Sequence, residues 1–269
     1  AGSQLTHARN DLDALIFNLQ HRGSYIKDEH QLEWGIKYTS EDIRDRIQEY
    51  EIIDSAGFSI RPPIEDFIND QPYNPNTSPI VPFTNVRALN DVQIERISGF
   101  GQYSVRTELN NAKLWANLGV RTQTWTISGQ GLESNTQTVV SPRAQLAIKP
   151  DWKSDMIFRL SGGWYHQPPF YRELRDSSGT VKPEVKAQQS IHVVLGHDYS
   201  FELWERPFKL TSELYYKKLT DVNPYTIENV RIRYRARNNA EAYAAGLDVR
   251  LNGEFIPGTE SWVSLGVLK

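Results

Sequence analysis

The stretch SPRAQLAIKPDWKSDMIFRLSGGWYHQPPFYREL, residues 141–174, decides how the chain is read. Over residues 142–148 the side chains alternate. Ala144, Leu146 and Ile148 take one face; Arg143, Gln145 and Ala147 take the other. Lys149, Pro150, Asp151 and Trp152 supply turn chemistry, because proline fixes its own φ and an Asp side chain can bond its own backbone. The chain then returns with Met156, Phe158, Leu160, Gly162 and Trp164 opposite Arg159, Ser161, Gly163 and Tyr165. An apolar face backed by an arginine-bearing face, over about ten residues, fits a strand with lipid on one side and water or protein on the other. A strand of a water-soluble sandwich shows the same alternation. Recurrence of the pattern, and the lengths of the connections between repeats, separate the two.

The pattern recurs in both directions. Upstream, Leu15, Phe17 and Leu19 alternate with Asn18 and Gln20. Leu32, Trp34, Ile36 and Tyr38 oppose Glu33, Gly35 and Lys37, an apolar face about 20 Å long at ~3.4 Å per residue. Beyond Tyr38 the chain turns charged, with Arg44, Asp45, Arg46, Glu49 and Glu51, which predicts a strand projecting past any membrane. Residues 92–106 and 114–127 form the next pair, with Leu114, Ala116, Leu118 and Val120 opposite Trp115, Asn117, Gly119 and Arg121. Downstream, residues 191–201, 208–216, 243–251 and 262–267 repeat it, about ten strands in all. Short turns fall near residues 28, 110, 151, 205 and 257; longer connections cover roughly 55–90, 128–137, 166–188 and 222–240. Alternating short and long connections are the pattern of a barrel with tight turns at one membrane face and long loops at the other.

Composition by itself fits an ordinary all-β core best; it is compatible with a barrel and excludes other classes. Hydrophobic residues make up 39% of the chain, and no apolar run approaches a spanning helix. Thirteen Tyr, seven Trp and ten Phe favour strands and membrane boundaries alike. The absence of cysteine removes disulfides and thiolate metal sites, and a formal charge of −3 gives no footprint for nucleic acid. No nucleotide-binding glycine loop or nucleophile elbow occurs, so no enzyme activity and no cofactor is expected. The acidic run Glu41, Asp42, Asp45, Glu49, Glu51 and Asp54 lacks the spacing of a calcium loop and reads as a solvated strand extension. The chain starts without Met and ends within an alternating run, and it is expected to be a piece of a larger protein.

Taken together, the 141–174 stretch, the later LTSELYYKKLTDVNPY and NAEAYAAGLDVRL, and the upstream LEWGIKYTSEDIRDRIQEYEIIDSAG resemble the barrel region of TonB-dependent outer-membrane receptors, in a style closest to the Bacteroidetes group. The resemblance spans nearly the whole chain. It implies an all-β antiparallel up-and-down meander, part of a barrel of about 22 strands, with residues 1–269 as a partial barrel domain lacking the plug. It also implies an outer-membrane location and contact with outer-membrane lipid. The implied cargo is a siderophore, vitamin or oligosaccharide, and the implied partners are the TonB complex, reached through the plug, and a surface lipoprotein. The alternative is a soluble all-β ligand- or glycan-binding module without a transport role. By alternation, Lys37, Arg121, Arg143, Arg159, Asp198, Lys209, Glu213, Asp248 and Arg250 face inward. Candidate ligand contacts are Tyr73 and Phe83 in the first long connection, and Phe170, Tyr171, Arg172 and Arg175 in the one after Trp164. Aromatic rings stack on sugars or apolar ligand faces, and guanidiniums bind carboxylates bidentately; packing of the loops against each other is the alternative role.

Overall fold

The computed structural model describes residues 3–55, 58–59, 84–228 and 231–269. Its strands are β1 (Ser3–Ala8), β2 (Asp11–Lys27), β3 (His30–Ser55), β4 (Phe58–Ser59), β5 (Thr84–Leu109), β6 (Ala112–Gly129), β7 (Leu132–Lys149), β8 (Asp155–Gln167), β9 (Gln188–Leu203), β10 (Arg206–Val222), β11 (Tyr225–Glu228), β12 (Arg231–Tyr234), β13 (Ala240–Ile256) and β14 (Thr259–Leu268). One antiparallel sheet takes twelve of them, in the order β1-β3-β5-β6-β7-β8-β9-β10-β13-β14, with β2 and β4 also paired to β3. β11 and β12 form a separate hairpin.

β2 lies along the first half of β3 and β1 along the second, so the two act as one long strand. Arg9 and Asn10 interrupt it without leaving β3 unbonded. The Arg9 N–H donates to the Gln48 carbonyl, and the Asn10 side chain accepts from the Gln48 N–H and donates to the Glu49 carboxylate. The result is the meander of about ten strands expected from the alternation.

Cross-strand register gives each face its composition, because directly paired residues point the same way. One row runs Leu32, Tyr103, Leu118, Ala144, Gly162, Val193, Tyr216, Ala245 across eight strands. Another runs Leu146, Leu160, Leu195, Leu214, Leu247, Val267. Phe158 belongs to the same face through Ile148. These apolar side chains are turned outward: Leu118 is 61% exposed and Leu214 55%. The opposite face carries Lys37, Arg121, Arg143, Arg159, Asp198, Lys209, Glu213, Asp248 and Arg250, all with the parity expected of them.

The five short turns fall where expected. Asn110 and Asn111, and Trp204 and Glu205, have φ between 48° and 65°, the double left-handed conformation of a two-residue hairpin turn. Three elements differ from expectation. Residues 128–137 are not a long connection: β6 and β7 continue to a tight turn at Gln130 and Gly131, where Gly131 has φ +74°. Threonines in and beside this segment hold the strands together through Thr124–Thr138 and Thr126–Thr136 hydroxyl bonds, each 2.9 Å. Their polarity reads as loop, but their branched Cβ suits a strand. The 222–240 connection contains the β11–β12 hairpin. β3 and β5 are 26 residues each, about 85 Å long, and extend well past the end of β6, which pairs with β5 only from Val92 onward.

Aromatic rings cover glycines across the strands. Gly23 pairs with Trp34, Gly35 with Phe100, Gly246 with Tyr215 and Gly253 with Phe208. A Cβ on Gly253 would lie 2.2 Å from the Phe208 ring, which is buried at 3% exposure between Phe201, Trp204 and Phe255. Gly253→Ala is therefore expected to lower stability by about 1–3 kcal/mol through overpacking, read as an earlier thermal transition. An unchanged transition would mean that Phe208 is free to move.

Candidate functional site

Residues 168–187 leave the end of β8 and fold back as a strap across the polar face of the projecting strand ends. Their apolar side chains supply the reason. Leu174, Val181, Val185 and Ala187 pack with Ile43, Val92, Ile94, Trp125 and Ile127 in one buried cluster. In β3 the pattern Ile43, Asp45, Ile47 places apolar residues on the polar face of the projection, and the strap covers them. At about 25 cal/mol per Å² of apolar surface removed from water, such a cluster outweighs any single ion pair at its rim.

Local chemistry shapes the strap. Tyr171–Leu174 is a single 3-10 turn. The Glu173 carboxylate accepts the Phe170 N–H at 3.2 Å and the Gln188 amide at 2.8 Å. Asp176 Oδ1 accepts from the backbone N–H of Ser178 and Thr180 at 2.9 and 3.0 Å, and closes a tight turn through Gly179, φ +85°. Side chains from elsewhere tie the strap down. Arg96 donates to the Pro169 carbonyl at 2.8 Å, Asn90 to the Gly179 carbonyl at 3.0 Å, Gln137 to the Val185 carbonyl at 3.0 Å, and Asn223 to the Glu173 carbonyl at 2.8 Å. Asn238 accepts the Lys186 N–H and donates to the Lys186 and Asp221 carbonyls.

The expected ligand residues divide in two. Tyr171 is buried, and its hydroxyl donates to Asp45 at 2.7 Å. Burial first, then the Asp45 carboxylate, hold its phenol well above the usual value, so it stays a donor. Arg175 pairs with the same carboxylate and lies 5.9 Å over the Tyr171 ring. Both side chains therefore anchor the strap to β3. Phe170 and Arg172 point to water. Phe170 meets Tyr234 edge-on at 5.7 Å, and Tyr234 meets Tyr225 at 5.8 Å, so the strap and the β11–β12 hairpin share an aromatic seam. Tyr73 and Phe83 lie outside the described residues.

Beside this seam is a hollow of about 160 Å³ bordered by Arg172, Arg175, Arg233, Tyr234, Glu49 and Asp176. Arg233 holds Glu49 at 2.6 Å and Arg175 holds Asp45. Arg172 remains exposed with its donors available to a ligand. Two members of the acidic run read as solvated are corrected here: Asp45 is 2% exposed and Glu49 8%, each satisfied by an arginine distant in sequence. Among the described residues no group of three or more acidic or histidine side chains is placed to hold a metal. Arg233, Tyr225 and Tyr234 escaped the sequence reading. Only the long-range hairpin contact brings them to the strap; the alternation of Tyr225 and Ile227 was their one local signal.

No protein-family model matches the chain, and no curated protein matches it. Solved structures do. The copper transporter OprC superposes with a TM-score of 0.62 at 13% identity, covering 97% of this chain and 39% of that one. BauA, the ferric preacinetobactin receptor from Acinetobacter baumannii, gives 0.52 at 16% identity, covering 99% of this chain and 38% of its own. The siderophore receptor PiuA from the same organism gives 0.52 at 16%, covering 97% and 38%. The chain thus spans about two fifths of the length of each. At these identities the likeness is one of fold: an antiparallel meander of the kind from which these transporters and receptors are built.

Two outcomes test the strap. Asp45→Ala leaves the Tyr171 hydroxyl and the Arg175 guanidinium without their carboxylate, at a cost of about 3 kcal/mol. Hydrogen exchange over residues 171–187 should accelerate while β8–β10 keep their protection. Glu173 is raised above the usual glutamate value, by burial first, against hydrogen bonds from Phe170 and Gln188 that lower it. The folded strap therefore binds the proton more tightly than the open one. Its stability should fall as pH rises from the ordinary glutamate value through the raised one. Protection that increases with pH across that window, or a slope unchanged in Glu173→Gln, contradicts this.

Proposed function

We propose that the chain is part of the transmembrane barrel of a TonB-dependent outer-membrane receptor, with residues 1–269 as a partial barrel domain. One observation carries the reading: the outward apolar face lies between two sets of aromatic residues. Tyr199, Phe201 and Phe208 stack at the short-turn end, at 4.9 and 5.8 Å. Tyr38, Trp164, Tyr216 and Tyr243 lie toward the other end of the same face. From Phe201 to the level of Trp164, which pairs with Ile191, is ten residues of β9, about 34 Å of strand. At a tilt of ~40° that is roughly 26 Å along the membrane normal, close to the apolar band of such barrels. Amphipathic Tyr and Trp favour the two boundaries of that band.

In this reading the polar face looks into the barrel, and the strap and β11–β12 hairpin stand on the extracellular side. The complete barrel has about 22 strands. Cargo is captured by the exposed Arg172 and Phe170 beside Tyr234, with Tyr73 and Phe83 as further loop contacts and Tyr171 and Arg175 fixing the platform. A siderophore, vitamin or oligosaccharide enters there and passes inward with energy delivered by the TonB complex through a plug domain. A surface lipoprotein covers the loops, as in receptors of the Bacteroidetes style. The copper and siderophore specificities of the solved structures above support uptake of small molecules in general. The work is binding and passage, with no catalysis and no cofactor.

The lipid face is the point of test. Leu118→Arg and Leu214→Arg should each cost about 2–4 kcal/mol in lipid vesicles, measured by denaturant-dependent folding into bilayers. Lys217→Gln on the polar face should cost little. Equal, small effects at all three positions would return the chain to the soluble binding-module reading.

A further inference from the structure

The polar face holds a second hollow that the strap does not cover. Its volume is about 340 Å³, and it lies across β2, β3, β5, β6 and β7. Gly35, which lines it, is ten residues along β3 from Asp45, about 34 Å from the strap anchor.

Four cations border this hollow: Arg22, Lys37, Arg121 and Arg143. None of them makes an ion pair among the described residues. The one carboxylate on the rim, Glu33, accepts a hydrogen bond from Gln102 at 3.1 Å. Further along the same face the pattern is the reverse. Arg159 holds Asp198 at 2.8 Å and Glu213 at 3.3 Å, and Lys209 stands 3.7 Å from Asp198. The wall therefore neutralises its charge at β8–β10 and leaves it uncompensated here, with four cations against one carboxylate.

Aromatic rings hold three of these cations in place. The Arg22 and Arg121 guanidiniums lie 5.7 and 5.6 Å from the Phe100 centroid, and Arg143 lies 5.2 Å from that of Tyr165. A ring face steadies a guanidinium without using its N–H donors. Gly35 makes the arrangement possible, since a Cβ there would meet the Phe100 ring at 2.5 Å. Phe100 thus lies across β3 with Arg22 and Arg121 on it, and no side-chain hydrogen bond among the described residues uses their donors.

We propose that this hollow binds a small polycarboxylate. Planar carboxylates match the guanidinium fork bidentately, and Arg121 and Arg143 supply two such forks. Lys37 and Arg22 add charge at the opposite rim. The volume, about 340 Å³, accommodates a molecule of a few carboxylates. The inference stands on the polar face of the sheet and not on the receptor reading. Where both hold, the hollow faces the barrel interior.

The test is calorimetric titration of the full chain, in a nonionic detergent at low ionic strength, with tricarballylate as the probe. Saturable binding is expected. Arg121→Gln with Arg143→Gln should weaken it at least tenfold. The charge-keeping pair Arg121→Lys with Arg143→Lys should weaken it several-fold, because an ammonium lacks the fork. Arg106→Gln with Arg250→Gln removes the same charge elsewhere and should leave affinity within twofold. Circular dichroism confirms that each variant keeps its strands. Absence of saturable heat at millimolar probe overturns the site. So does equal weakening by both glutamine pairs, which would mean general electrostatic attraction. Bilayer insertion, read through Leu118→Arg and Leu214→Arg, does not depend on these arginines, so either proposal can fail while the other stands.

Discussion

Antiparallel pairing between consecutive long strands is the constraint from which the rest of this structure follows. Each hydrogen-bonded register forces directly opposed residues onto one face, and a slip of one residue would send Leu214 and Leu247 to the side of Arg159 and Asp198. The rows of leucine across β7, β8, β9, β10 and β13 exist because five separate registers agree. Such agreement also satisfies the backbone internally, the condition for any chain that meets hydrocarbon. Both faces therefore need partners of different kinds: apolar groups for one, polar groups for the other.

The polar face meets that need differently along its length. At the projecting end it carries isoleucine, valine and tryptophan, and the strap seals them. There the carboxylates Asp45 and Glu49 are buried and each meets an arginine from a distant segment. Removing water raises the worth of such pairs and the penalty for leaving one group alone, so the strap and β3 are mutually dependent. At the level of Phe100 nothing within the described residues covers the face, and the arginines rest on aromatic rings instead of carboxylates. The same surface is closed at one level and open, with excess positive charge, at another.

The alternation of side chains made the strands legible. Local composition sufficed because a period of two needs only near neighbours, and the turns near 28, 110, 151, 205 and 257 carried their own chemistry. It failed over residues 128–137, where threonine, asparagine and glutamine resemble loop but continue β6 and β7. It also failed on the acidic run. Asp45 looks like any solvated strand carboxylate until Tyr171 and Arg175, 126 and 130 residues away, arrive. Of the ligand residues expected in the strap, the residue types were readable, but not which of them would be spent on packing.

By itself, then, the order of residues determined an amphipathic meander and which side chains share a face. Both follow from pleat geometry, which acts between adjacent residues. Only the tertiary structure decided that Tyr171 anchors while Phe170 and Arg172 stay exposed, that Arg233 meets Glu49, and that four cations border one hollow beside a single carboxylate. Those outcomes depend on which strands become neighbours and where a connection of twenty residues comes to rest, and no local period encodes either.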